Sequence, residues 1–207
     1  MKREPWNKGR AVGPRKAFSR DEINKIANSF QPNETFEECL FMVSVDSMLR
    51  SSDLLNLKVC DLKYDSGEFK EYHSIRQKKT KRNVSFCLSK KTLLKCRNWI
   101  DKSNKSNIDF LFSNPFNSNS NLPISAVTYR RIVKSWCKRV NLNEELYSTH
   151  SLRRSKPTWL YHQGVEIEKI ALILGHKSPD ATMRYLSIST NEVIETLNSF
   201  NIFRKSY

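Results

Sequence analysis

Helix stops and starts set close together along its C-terminal part restrict this chain to an assembly of short helices. From Ser125 onward the apolar residues recur at helical spacing, which predicts helices over 126–140, 150–163 and 166–174, with Gly164 and Gly175 where C-terminal stops belong. Ser178 followed by Pro179 supplies an N-cap and a first-turn proline for a further helix carrying Tyr185. Ser189 with Glu192 opens a last one over 191–200. Pro157 falls inside the second of these helices, where it removes an amide donor and crowds the carbonyl of Arg153, so a kink or a later helix start is expected.

The N-terminal half is mixed. Ser19 and Glu22 have capping-box spacing, predicting a helix over 20–30, and a second over 34–48 places Phe36, Leu40 and Val43 on one face. A short helix over 52–57 follows Arg50. After the Asp65-Ser66-Gly67 turn, two strand-like runs over 69–77 and 83–88 are joined by Lys78-Lys79-Thr80-Lys81, a β-hairpin with a cationic tip. Ser89 caps a helix containing Leu93, Leu94, Cys96 and Ile100, and the Asn/Ser-rich stretch 103–121 reads as a loop around a short buried Phe110-Leu111-Phe112. The fold class expected is mainly α with a small antiparallel β-hairpin or three-stranded sheet at one edge.

Charge narrows the partner. Thirty-six Lys and Arg against 21 Asp and Glu leave +15, more than solubility requires, which points to a polyanion. Nucleic acid is favoured over a membrane, because no basic helix has a long bare apolar face and no run reaches the roughly 18 apolar residues of a membrane span. The start, Met1-Lys2-Arg3-Glu4-Pro5-Trp6, lacks the apolar stretch of a signal peptide, so a cytoplasmic, nucleoid-associated location is expected. Residues 1–17 hold Lys2, Arg3, Lys8, Arg10, Arg15 and Lys16 against Glu4 and read as a flexible basic arm, either a phosphate or minor-groove contact or a plain tail. Cys39, Cys60, Cys87, Cys96 and Cys137 form no CxxC pair, which argues against a disulfide framework or zinc site; reduced core cysteines are expected.

Four short patterns carry chemistry. His150-Ser151-Leu152-Arg153 places an imidazole and a guanidinium on one helix face, where both can reach one phosphate. Leu174-Gly175-His176 closes a helix with a histidine just past its end, and Tyr185 follows nine residues later. Upstream, Leu49-Arg50-Ser51-Ser52-Asp53 sets an arginine at a helix junction, 100 residues before His150. Singly each has an ordinary structural explanation: a C-cap histidine, a core tyrosine, a surface ion pair. His73 and His162 lie outside the patterns and are expected to be structural or exposed.

In order and spacing these patterns resemble the tyrosine recombinase (phage integrase) family over roughly residues 18–200. The resemblance implies the family's catalytic-domain fold and a reaction in which Tyr185 attacks a DNA phosphate without metal or other cofactor. Attack builds negative charge on a five-coordinate phosphorus, and Arg50, Arg153 and His176 would supply fixed donors to it. A tyrosine of ordinary pKa about 10 needs a base, for which His150 is the candidate. The family's hairpin lysine, the acid for the departing 5′-oxygen, looks like Lys79 in Lys79-Thr80, with Lys78 and Lys81 as alternatives. Lys8, Arg10, Arg15, Lys16, Lys78, Lys81 and Arg154 are the expected DNA contacts.

The resemblance also implies duplex DNA as partner, self-association into a synaptic tetramer, Holliday-junction intermediates and accessory DNA-bending proteins. The expected organisation is an arm over 1–17, a catalytic domain over 18–188, and a C-terminal helix and tail over 189–207. The apolar face of that tail (Val193, Ile194, Leu197, Phe200, Ile202, Phe203) would dock on a neighbouring protomer or pack back on its own domain. A chain of this length leaves no room for the N-terminal DNA-binding domain that relatives typically carry, and resembles the small stand-alone recombinases that invert fimbrial promoter segments. A type IB topoisomerase, or a non-catalytic DNA-binding regulator of the same fold, are the alternative functions.

Overall fold

In a computed structural model of the chain, residues 15–115 and 122–186 are described. They form nine α-helices, one 3-10 turn and one two-stranded sheet. Helices α1 (Arg20–Asn28), α2 (Thr35–Ser47), α3 (Ser51–Leu54) and α4 (Val59–Leu62) precede strands β1 (His73–Arg76) and β2 (Asn83–Phe86). Then come α5 (Lys90–Lys102), α6 (Ala126–Arg139), a 3-10 turn (Glu144–Leu146), α7 (Thr149–His162), α8 (Ile167–Leu174) and α9 (Pro179–Leu186). The arm residues Lys8 and Arg10, the helix expected over 191–200 and the docking tail lie outside the described residues.

Side-chain caps fix most of the helix starts. Ser19 and Glu22 form the reciprocal capping box, Ser89 and Ser125 each accept from the amide three residues on, and Ser148 caps α7, which begins one residue before its predicted start. Helix α7 runs unbroken through Pro157 and does not start later because of it. The strands are shorter than expected. Residue 69 makes only an isolated bridge to Lys63, and β1 pairs antiparallel with β2 in the register His73 to Phe86 through Arg76 to Asn83.

Helix α2 is the axis of the main core: Phe36, Cys39, Leu40, Phe41 and Val43 pack on Trp99, Ile100, Leu111, Phe112, Val133 and Trp136 from α5, α6 and the 103–115 segment. Each such fully buried side chain contributes about 1.5–3 kcal/mol. Three aromatic side chains of this core have their polar tips satisfied: Trp136 Nε1 donates to Glu37, Tyr129 Oη to Ser44 Oγ and Trp99 Nε1 to the Leu111 carbonyl, all at 2.7 Å. Cys39, Cys96 and Cys137 are buried free thiols as expected, but Cys60 is half-buried and Cys87 exposed. A second, smaller cluster of Met48, Ile170 and Leu174, with Tyr185 against it, holds α8 and α9. No helix among the described residues is long and apolar enough to cross a membrane.

Candidate active site

The site forms where the ends of α2, α7 and α8 meet the hairpin tip. Helix α2 ends at Met48, whose left-handed backbone (φ 54°) turns the chain so that Arg50 becomes the residue before α3. Ser51 Oγ donates to Thr149 Oγ1 at 2.9 Å, which pins the start of α3 to the start of α7. That bond helps to bring Arg50 and the His150–Arg153 turn to one place. The Arg153 guanidinium is buried and donates to the Met48 carbonyl and, at 3.0 Å, to the Leu174 carbonyl. These carbonyls terminate α2 and α8, where helix dipoles gather negative charge, so two helix ends stabilise one buried cation.

Gly175 closes α8 in the left-handed conformation (φ 64°), and His176 N bonds back to the Ala171 carbonyl at 2.9 Å. The turn delivers His176 to the same place as Arg153 and Tyr185. Its Nδ1 lies 2.9 Å from Thr182 Oγ1, and its ring stands edge-on to Tyr185 with centroids 5.1 Å apart and an interplanar angle of 82°. Burial, reinforced by Arg153 and Arg50, pushes His176 down to about 4, so the ring is neutral at neutral pH. Burial and the same two arginines, with Arg154 and Lys79, also lower His150, although its side chain reaches the solvent-exposed rim.

Tyr185 sits beneath two guanidinium groups, those of Arg153 at 5.8 Å and Arg154 at 5.5 Å from the ring centroid. Its hydroxyl is buried and makes no well-aligned hydrogen bond among the described residues, although the Arg153 guanidinium lies near enough to favour the phenolate. Burial raises the phenol above its ordinary value, and the attraction of Arg153, Arg154 and Arg50 for the phenolate only partly offsets this. Arg154, expected at the DNA surface, is instead buried: its Nη1 donates to the Arg15 carbonyl at 2.6 Å.

The hairpin closes through Gln77 N to the Arg82 carbonyl at 2.9 Å, leaving Lys78-Lys79-Thr80-Lys81 as the tip, with Lys81 in the left-handed region (φ 56°). The lysines divide by what they touch. Lys78 Nζ donates to Asn56 Oδ1 at 2.9 Å, and the backbone N–H of Lys78 donates to Asp53 Oδ1 at 2.9 Å. The exposed Lys79 side chain has no hydrogen bond or ion pair among the described residues, and its charge is one of those felt by His150. Lys81 is also exposed. Of the arm residues, Arg15 donates to the Glu145 carbonyl and Lys16 pairs with Glu22 at 3.0 Å and Tyr147 at 3.1 Å. Among the described residues no group of three or more His, Cys, Asp and Glu is placed to hold a metal ion.

Three site residues were not singled out from sequence. Gln77 is fully buried, and its Oε1 accepts from both Arg50 and, at 2.6 Å, Thr80. Arg50 can only donate, so the atom it meets is the oxygen, and Nε2 is left buried without a partner among the described residues. Asp53, three residues after Arg50, anchors the hairpin, and Thr182 contacts His176. A buried polar residue at a predicted strand end, and a threonine one turn before Tyr185, were the only signals.

The same fold is found in the crystal structure of XerA recombinase, with a TM-score of 0.73 and 17% identity over 93% of this chain and 66% of that one. It recurs in XerH site-specific recombinase bound to palindromic difH substrate in a post-cleavage complex, with a TM-score of 0.70 and 18% identity, covering 88% and 52% of the two chains. In sequence, the chain is 27% identical to tyrosine recombinase XerA of Pyrococcus horikoshii, over 88% of this chain and 60% of that protein. It is 29% identical to the probable integrase/recombinase YoeC of Bacillus subtilis, over 82% and 87%. It thus spans about three fifths of the archaeal relative's length. Residues 16–192 match the phage integrase family. The chain belongs to that family.

Proposed function

We propose that this chain is a site-specific DNA recombinase that cleaves and rejoins duplex DNA through a covalent 3′-phosphotyrosine. The observation that carries the reading is convergence: Arg50, the His150–Arg153 turn, His176 and Tyr185 come from four separate stretches of chain and lie close enough for the two arginines to act electrostatically on both histidines and the tyrosine. In the proposed step the Tyr185 oxygen bonds to phosphorus as the bond to the 5′-oxygen breaks. His150, whose protonated form is disfavoured by burial and by the surrounding cations, accepts the phenol proton. Lys79, at the exposed hairpin tip, gives a proton to the departing oxygen. Arg50, Arg153 and His176 bind the non-bridging oxygens. Rejoining reverses these transfers with a new 5′-hydroxyl, so no energy source is needed.

Duplex DNA is the proposed substrate, consistent with the net charge and with the DNA-bound XerH structure. A tetramer, Holliday-junction intermediates and accessory bending proteins extend the proposal, as does a DNA role for Lys81 and the basic arm. The test is to capture covalently bound sequences from a randomised duplex pool and to place two copies on a supercoiled plasmid. Recombinant product supports the reading, relaxation alone would indicate a topoisomerase, and no capture from any pool would contradict strand cleavage.

A further inference from the structure

A neutral imidazole carries one N–H, so whether His176 can donate to a phosphate depends on which ring nitrogen holds its proton. Its pKa near 4 makes the neutral form the working one. Nδ1 is 2.9 Å from Thr182 Oγ1, and Thr182 is fully buried. Among the described residues, Nδ1 is the one hydrogen-bond partner of that hydroxyl. If Nδ1–H donated to Oγ1, the hydroxyl proton would be left buried with no acceptor, at the full desolvation cost of an unpaired donor. If Oγ1–H donates to Nδ1, every proton in the contact is used. The second arrangement leaves Nε2 as the protonated nitrogen, and Nε2 has no protein partner among the described residues.

We propose that Thr182 is a positioning residue whose hydroxyl donates to Nδ1 and so holds His176 as the Nε2–H tautomer, with its single donor available to the phosphate. The functional half of this inference rests on the strand-cleavage reading of the pocket; the tautomer itself does not. Thr182 and Tyr185 are three residues apart and share a face of α9, so one short helix sets both the proton position of the histidine and the place of the nucleophile. An orienting partner of this kind is the usual way a neutral imidazole is committed to one donor direction.

The test uses the full chain labelled with ¹⁵N-histidine, without DNA at neutral pH, with the His176 signals identified by their loss in His176→Gln. Long-range proton–nitrogen correlations in the wild type are expected to show a protonated Nε2 and a bare Nδ1. Thr182→Val, which keeps the shape and removes the donor, is expected to give mixed tautomers or Nδ1–H, and Thr182→Ser to restore Nε2–H. Single-turnover cleavage should fall about 10-fold or more in Thr182→Val at unchanged DNA affinity and recover in Thr182→Ser. Nδ1–H in the wild type, or undiminished Nε2–H in Thr182→Val, overturns the proposal, as does cleavage indifferent to the valine. Should the valine variant not fold, the wild-type and serine spectra decide. A wild type that forms no adduct would count against the recombinase reading alone, because the spectrum is recorded without DNA.

Discussion

Replacing Gly175 by alanine should damage both the fold and the site, by an amount the geometry sets. The residue has φ 64°, and an added Cβ would come within 2.6 Å of Val84 Cγ2 on β2 and 3.3 Å of Gln77 Nε2. Left-handed backbone costs a non-glycine residue about 1–2 kcal/mol, and overpacking a filled interior a further 1–3 kcal/mol or so. Gly164 is the internal control: its φ is 82°, but an added Cβ meets nothing within 4 Å, so Gly164→Ala should show the backbone cost alone. Urea unfolding should place Gly175→Ala about 2–5 kcal/mol below wild type and Gly164→Ala about 1–2 kcal/mol below. The excess at Gly175 measures the contact between the end of α8 and the hairpin. Since Gln77 holds Arg50, DNA cleavage by the folded fraction of Gly175→Ala should also fall. Equal losses at the two glycines, or a loss under about 0.5 kcal/mol at Gly175, would refute the close-packing argument.

Gln77→Leu preserves bulk but removes the acceptor of Arg50, and should lower single-turnover cleavage at least 10-fold while thermal unfolding shifts little; unchanged cleavage would dismiss Gln77 as a support. Tyr185→Phe deletes a buried hydroxyl without a well-aligned partner, so the variant should unfold at the same or a higher denaturant concentration than wild type, by up to about 1 kcal/mol, and a clear loss would show that the hydroxyl is bonded. His73, His150 and His176 all have folded pKa values lowered by burial, so the unfolded chain binds more protons in acid. Their contribution is fully present above about pH 6.5 and is lost as pH falls, for His176 toward about 4. Urea midpoints measured from pH 8 to 5 should therefore decline below 6.5, and decline less in His73→Phe; identical slopes would remove His73 from the account.

Helix starts were legible at Ser19, Ser89 and Ser125, where one side chain carries the cap and the interaction is local in sequence, although the Ser148 cap of α7 was missed. The four motif stretches were legible for the same reason, each being a short pattern of chemically special residues. What stayed hidden depends on distant contacts. Met48 takes a left-handed turn without being glycine or asparagine, and the Val59–Leu62 helix is too short to show a period. Gln77 looks like any polar strand residue until Arg50, 27 positions away, donates to it. Arg153 and Arg154 are adjacent and were given different surroundings, yet both are buried over the Tyr185 ring, because the chain at Arg15 covers the second. No local pattern records that cover.

The central claim is that Tyr185 attacks DNA among fixed cations. The most direct measurement incubates wild type and Tyr185→Phe with a pool of nicked duplexes in EDTA, separates SDS-resistant adducts, and maps the modified residue by mass spectrometry. The account predicts an adduct from the wild type alone, with the nucleotide on Tyr185. An equal adduct from Tyr185→Phe, or a nucleotide carried by another residue, would contradict it.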